Sequence, residues 1–317
     1  MDIMVGSKPF SLKRRCKWIV NEVRKSMWLY IMFAPVFLYY VIFKYLPMYG
    51  VQIAFKDYSI YSTIAESEWV GLKHFYSFFS SMYFGRLLRN TIVISLYDIA
   101  FGFTTPILLA LLLNEVQHLR FKKAIQTISY LPHFISSVII VSMVVNFLDP
   151  QTGLINNIIA ALGGTRTNFL LDPKYFWTIF TSMNVWQGVG WGAIIYSAAL
   201  SGVDTSLYEA AMIDGASRFR QICSVTLPSI APTISIMFIL RMGSILSVSS
   251  SKIILIYNSQ IYETADVLST YVYRRGLVEA DYSFASAVDL FQSVVGLVMV
   301  VLTNQIARKI DEDSSIW

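Results

Sequence analysis

Glu209, Ala210, Ala211, Asp214, Gly215 and Ala216 stand in a polar stretch, YEAAMIDGASRFRQICSVTLPSIAP over 208–232, between two long apolar segments. The chemistry it offers is recognition. Glu209 and Asp214 can accept hydrogen bonds or pair with cations, the small Ala210 and Ala211 admit a close partner, and Gly215 lets the chain turn. Asp204, Thr205 or Ser206 can cap a short helix here, with Glu209 in its first turn, where negative charge is favoured. Leu227 and Pro228 close the stretch, and Pro232 heads the next apolar run. On these residues alone, an ordinary loop with a surface helix competes evenly with a docking element.

Asp98, Arg241 and Asp289 are ionisable residues inside apolar runs. Such charges are costly in lipid, turn toward the bundle interior and mark function by default. Arg241 lies roughly 18 Å beyond the start of its predicted helix, near mid-membrane. It can bind hydroxyls or a carboxylate, or pair with Asp98 or Asp289 to neutralise the bundle. Trp186 and Trp191, near Tyr175, Trp177 and Tyr196, offer aromatic faces for stacking; packing and the membrane belt are the simpler uses of such rings. Gly188, Gly190 and Gly192 in WQGVGWG predict close helix packing or a kink. Together Asp98, Trp186, Trp191, Arg241 and Asp289 are the candidates for lining a solute path.

Bond-breaking chemistry finds no support. His74, His118 and His133 are scattered, and Cys16 and Cys223 have neither disulfide nor zinc spacing. No Ser–Lys or Ser–His pair falls at helical spacing. No G-x-x-x-x-G-K-[ST] occurs, so the chain shows no P-loop for nucleotide hydrolysis.

The elements that position these residues follow from composition. Of 317 residues, 55% are hydrophobic and 14% charged, against roughly 25% charged in a soluble domain. Six runs of membrane length are predicted, at 26–43, 90–114, 124–148, 175–203, 228–251 and 283–307. Basic residues orient them. Seven precede Met27 (Lys8, Lys13, Arg14, Arg15, Lys17, Arg24 and Lys25), and fourteen fall on the side of the N-terminus against ten in much longer outer connections. That density predicts both termini in the cytosol. A nucleic-acid arm is the weaker reading of the N-terminal cluster. The basic region is too long for a secretory signal and lacks a small-residue cleavage site, which predicts a retained first span. The division is a basic tail (1–27), a transmembrane domain (28–310) with a cytosolic loop at 204–228, and a C-terminal tail (311–317). In the outer connections, aromatics crowd 44–89, suiting a membrane interface or a docking surface, and LINNIIAALGG predicts a short amphipathic helix ended by Gly163.

Glu209-Ala210-Ala211, then Gly215, then Val225 and Leu227-Pro228, resembles the EAA loop of ABC importer permeases, and Asp214-Gly215-Ala216 is similar to its carbohydrate-permease version. FAPVFLYYVIFKYLPMYGVQIAFKDY, GLKHFYSFF, SYLPHFIS, YETADVLSTYVYRRGL and YSFASAVDLFQSVVGLVMV resemble the MalF-type sugar permease group, most of all its LplB-type polysaccharide and oligosaccharide branch. The chain departs from that group at GSILSVSSSKIILIYN. The resemblance implies an all-α integral membrane fold: a six-transmembrane-helix, type I ABC importer permease with a cytosolic EAA coupling helix. It implies import of oligosaccharides or polysaccharide fragments in a bacterial cytoplasmic (inner) membrane, with Glu209, Ala210, Ala211, Asp214, Gly215, Ala216, Leu227 and Pro228 coupling to an ATPase. The implied partners are a second permease subunit, two ATP-binding cassette subunits that hold ATP and Mg, an extracytoplasmic solute-binding protein, the saccharide and membrane lipid. The chain itself needs no cofactor. An importer for glycerol phosphate or a glycoside, or a secondary transporter, are the alternatives.

Overall fold

The computed structural model describes residues 25–317, so the basic tail up to Arg24, with Cys16, falls outside the described residues. The chain divides into two compact units, Met1–Gln52 and Ile53–Trp317. In the first, helix α1 (Met27–Tyr40) runs into a π-helical turn at Val41–Tyr45. Lys44 is the one charged residue in that stretch, which is apolar on every face, as suits a helix bathed in lipid.

In the second unit a short ribbon, β1 (Lys56–Asp57) and β2 (Glu68–Trp69), pairs antiparallel with Lys56 opposite Trp69. The other described elements are helical. After α2 (Lys73–Phe79), α3 (Phe84–Tyr97) continues through a π-helical turn at Asp98–Phe103 into α4 (Thr104–Glu115). Then come α5 (Leu119–Tyr130), α6 (Ser137–Leu148), α7 (Leu154–Ala161), α8 (Phe176–Ser201) and α9 (Thr205–Ile213). The short α10 (Arg218–Gln221) joins α11 (Leu227–Gly243) through a π-helical turn at Ile222–Thr226. Last are α12 (Ser250–Ile256), α13 (Tyr262–Ala265), α14 (Leu268–Tyr273) and the long α15 (Tyr282–Ile310).

Four described helices are long and apolar enough to cross a membrane: Met27–Phe55, Phe84–Glu115, Arg218–Gly243 and Tyr282–Ile310. A fifth crossing is available if Leu119–Phe134 and Ser137–Leu148 act together, but they meet at 101°. The straight span predicted over 124–148 is therefore broken. Pro132 lies at the break, and Ser136 starts a new helix by accepting a hydrogen bond from the Ile139 N–H at 3.4 Å. A break at membrane depth exposes carbonyls that lipid cannot satisfy, and Gln187 Nε2 donates to one of them, Ile135 O, at 3.0 Å. The fifth predicted span also stops early, at Gly243 rather than 251. That leaves Arg241 in the last turn of α11, where a cation suits the helix dipole, and not at mid-helix. As expected, α7 forms and ends at Gly163, with φ +85°.

Three apolar clusters hold the second unit together. One joins α3, α6, α8 and α12 through Ile94, Ile140, Phe180 and Ile253. A second joins α2, α3, α14 and α15 through Phe78, Leu87, Leu268 and Val288. The third joins α4, α8 and α11 through Leu111, Tyr196 and Ile230. A polar knot binds the start of α3 to the segment before α15. The Asp266 carboxylate, fully buried, accepts from Arg86 at 3.1 Å, Arg274 at 2.9 Å and Thr270 Oγ1 at 2.9 Å. Asn90 Nδ2 donates to the carbonyls of Glu263 and Asp266 at 2.8 and 2.9 Å.

Helix α8 runs unbroken through the glycines of WQGVGWG, and two of them, Gly190 and Gly192, serve close packing. A Cβ at Gly190 would sit 2.1 Å from Ser129 O in α5, whereas at Gly188 it would meet nothing within 4 Å. Gly190→Val is expected to lower the melting temperature of the purified protein by several degrees, about 1–3 kcal/mol of overpacking. Gly188→Ala serves as the control and melts like the wild type.

Candidate functional site

A cavity of about 560 Å³ lies within the second unit, walled by α3, the π-helical turn that follows it, α8, α11 and the segment beyond Gly243. That volume suits a small-molecule site. Its lining explains why α8, at 26 residues, falls outside the membrane-crossing set. Thr181, Asn184, Gly188, Trp191 and Gly192 all border the cavity, so polar and small residues replace aliphatic ones on that face.

Asp98 and Arg241 both line the cavity and form an ion pair, Arg241 Nη2 to Asp98 Oδ2. Of the two acids weighed for Arg241, the structure brings Asp98. The π-helical turn begins at Asp98, and Gly102 leaves room for its carboxylate: a Cβ there would lie 2.5 Å from Asp98 Oδ1. Trp191 also lines the cavity and stacks on His133, ring centroids 4.5 Å apart at an interplanar angle of 3°. Trp186 and Asp289 are exposed and do not border it.

Several lining residues carried no flag in the sequence. Ser95, His133, Thr181, Asn184, Ser244, Ser247 and Ser249 add polar groups to the wall. Thr181, Asn184 and Gln187 recur every third residue within a predicted span, and that spacing is the signal that points to a polar face.

The second site is the loop around α9. Asp204 is its N-cap, accepting from the Ser206 N–H at 2.9 Å. Hydrogen bonds from Ser206 hold the Asp204 carboxyl below its ordinary range. Because the helix starts at Thr205, Glu209 falls in its second turn and not in the first. The end is a Schellman closure: Ala216 N–H donates to Ala211 O at 2.9 Å and Gly215 N–H to Met212 O at 3.0 Å, with Gly215 at φ +75°. Glu209, Ala210, Asp214 and Gly215 are exposed, Ala211 and Ala216 are half-buried, and Ile213 is 87% exposed. Two contacts brace the loop: Tyr208 Oη to Thr226 Oγ1 at 3.0 Å, and Gln221 Nε2 to Ala216 O at 2.8 Å. Arg218 reaches Glu115 at 3.4 Å, an exposed pair of little energetic weight. Arg220 is exposed. Leu227 and Pro228 directly follow the π-helical turn at Ile222–Thr226, within a helix that runs from Arg218 to Gly243. Among the described residues no group of three or more His, Cys, Asp or Glu side chains is placed to hold a metal.

Helices of membrane length beside a cavity lined by both polar and apolar residues fit the class of membrane-embedded solute pathways. Comparison with known proteins names the group within that class. The chain belongs to the family described as binding-protein-dependent transport system inner membrane component, which matches residues 102–312. It is 45% identical over 291 residues to protein LplB of Bacillus subtilis (strain 168), covering 92% of each chain. It is 42% identical to the polygalacturonan/rhamnogalacturonan transport system permease protein YteP of the same organism, covering 95% of this chain and 94% of that one. Among solved structures, a chain of a bacterial alginate ABC transporter in complex with alginate pentasaccharide-bound periplasmic protein superposes with a TM-score of 0.84. Its sequence identity is 43%, covering 92% of this chain and 97% of the other. The protein is thus an inner-membrane permease subunit of an ABC transport system of the LplB type, and not itself an enzyme.

Proposed function

We propose that the chain forms half of the translocation pathway of an ATP-driven importer of oligosaccharides or polysaccharide fragments, coupled to a separate ATPase through the loop at 204–228. The observation that carries the reading is the pairing of near-full-length similarity to saccharide permeases with a capped, solvent-exposed α9 that bears the Glu-Ala-Ala residues and is closed by Asp-Gly-Ala. Polygalacturonan and alginate, named for two of the relatives, are polymers of uronic acids, so an acidic saccharide is the favoured cargo. The hydroxyl-rich cavity beside the Asp98–Arg241 pair is the candidate for its path.

In this reading the chain crosses six times, by the helix from Met27, α3–α4, the bent α5–α6 pair, α8, α10–α11 and α15, so both termini share one side, and the basic residues of the sequence assign that side to the cytosol. The loop at 204–228 then faces the ATPase. Closure of two ATPase subunits on ATP and Mg moves their surface clefts. A short helix capped at both ends and braced by Tyr208 and Gln221 passes that motion to α11 without bending. A second permease subunit supplies the other half of the path, and an extracytoplasmic binding protein delivers the saccharide.

Coexpression with candidate ATPase and permease subunits tests this. Affinity capture of this chain is expected to bring both, and the reconstituted complex is expected to import labelled saccharide only with ATP. Capture that brings no ATPase, or uptake that proceeds without ATP, would overturn the reading.

A further inference from the structure

On the cavity wall Arg241 is matched by Asp98. Next to the wall, Lys252 in α12 is half-buried and has no carboxylate partner among the described residues; its Nζ donates to Asn184 Oδ1 at 2.5 Å, and Asn184 lines the cavity. A half-buried ammonium bonded to a neutral amide oxygen is only partly compensated, and burial pushes the Lys252 ammonium below its ordinary range. One turn earlier on α8, Thr181 also lines the cavity. It is 6% exposed, and its Oγ1 has no hydrogen-bond partner. Because lysine is donor-only, Asn184 must present Oδ1 to it, which leaves the Asn184 Nδ2 protons available. Asn184 and Thr181 therefore put an amide N–H and an unpartnered hydroxyl on the cavity wall, and the Lys252 ammonium, which does not itself line the cavity, is bonded to Asn184.

We propose that Lys252, Asn184 and Thr181 form a carboxylate subsite that takes the acid group of a uronic-acid residue during import. This rests on the saccharide reading above and adds to it the group that distinguishes an acidic sugar from a neutral one. Three donors suit a carboxylate, whose two oxygens accept several hydrogen bonds, and a charge-assisted bond in a site shielded from water is the strong kind. Arg241 does not compete for the acid while Asp98 holds it. Lys252 lies in the stretch GSILSVSSSKIILIYN, where the chain departs from the wider sugar permease group, so the subsite sits where a cargo preference of its own can reside.

The test uses the full complex in proteoliposomes, with the same binding protein throughout, so that differences between variants report the permease. The probes are trigalacturonate and the neutral maltotriose. Lys252→Met is expected to lower ATP-driven trigalacturonate uptake about ten-fold or more, the loss of one charge-assisted hydrogen bond. Lys252→Arg is expected to restore most of it, while assembly and the ATPase rate without saccharide stay at wild-type levels in both. Wild-type uptake by Lys252→Met overturns the subsite. So does an equal loss in Lys252→Arg, or a loss that accompanies failed assembly, since those outcomes mark a purely structural lysine. Wild-type import of maltotriose but not trigalacturonate overturns the subsite and leaves the importer standing. Import of neither saccharide by the wild type overturns the saccharide reading itself.

Discussion

Gly215→Trp is expected to lower ATP-driven uptake at least ten-fold while the protein still inserts and folds. The expectation rests on two separable costs. Gly215 has φ +75°, so any L side chain there is strained by about 1–2 kcal/mol. Yet a Cβ at Gly215 would meet nothing within 4 Å, so the indole has open space within this chain. The strain is too small to unfold a membrane domain, and a loss of uptake well beyond it must arise at a partner surface that the indole blocks. Uptake and saccharide-stimulated ATPase activity in the reconstituted complex are expected to fall at least ten-fold, about 1.4 kcal/mol or more in docking. Gly215→Asn, which tolerates the left-handed conformation, is expected to retain much of the activity. Glu209→Ala should weaken coupling without disturbing the Asp204 cap or the Schellman closure, since Glu209 contributes to neither. Unchanged uptake by Gly215→Trp would remove the loop from the coupling pathway.

Asp266→Ala is expected to have the largest effect on the fold. The fully buried carboxylate neutralises parts of two guanidinium groups and accepts from Thr270, while the neighbouring Asn90 ties α3 to the same segment. Removing one partner of a buried ion pair costs about 3–5 kcal/mol. Arg86 and Arg274 keep 30% and 23% of their side-chain surface exposed and can partly rehydrate, which places the cost toward the lower end. Even so, it is a large part of a stability of roughly 5–15 kcal/mol. The variant is expected to lose its monodisperse peak in size-exclusion chromatography after mild heating. Asp266→Asn, which keeps the shape and loses the charge, should fall between it and the wild type. A melting temperature for Asp266→Ala within about 2 °C of the wild type would refute the structural role of the knot.

Much of this protein was legible before its fold. Charge-free runs announce a membrane chain because lipid leaves no alternative to apolar, internally bonded helices. The loop at 204–228 was legible because capping and closure are local: Asp204, Gly215 and their bonding partners lie within a few residues of one another. Counting apolar runs worked less well at 124–148, where Pro132 and the Ser136 cap turn an uncharged run into two helices, and at α8, whose polar face is diluted among apolar residues.

What the sequence by itself determined is the membrane class, the capped loop helix and the presence of intramembrane charges at Asp98 and Arg241. What only the tertiary structure decided is which groups meet: Arg241 with Asp98, Lys252 with Asn184, and Arg86 with Asp266, separated by 143, 68 and 180 residues. Spacing along a helix reports its own faces, over distances of a few residues. The choice of a partner for a buried charge depends on how helices from distant parts of the chain cross, and the close approach at Gly190 is set by that packing.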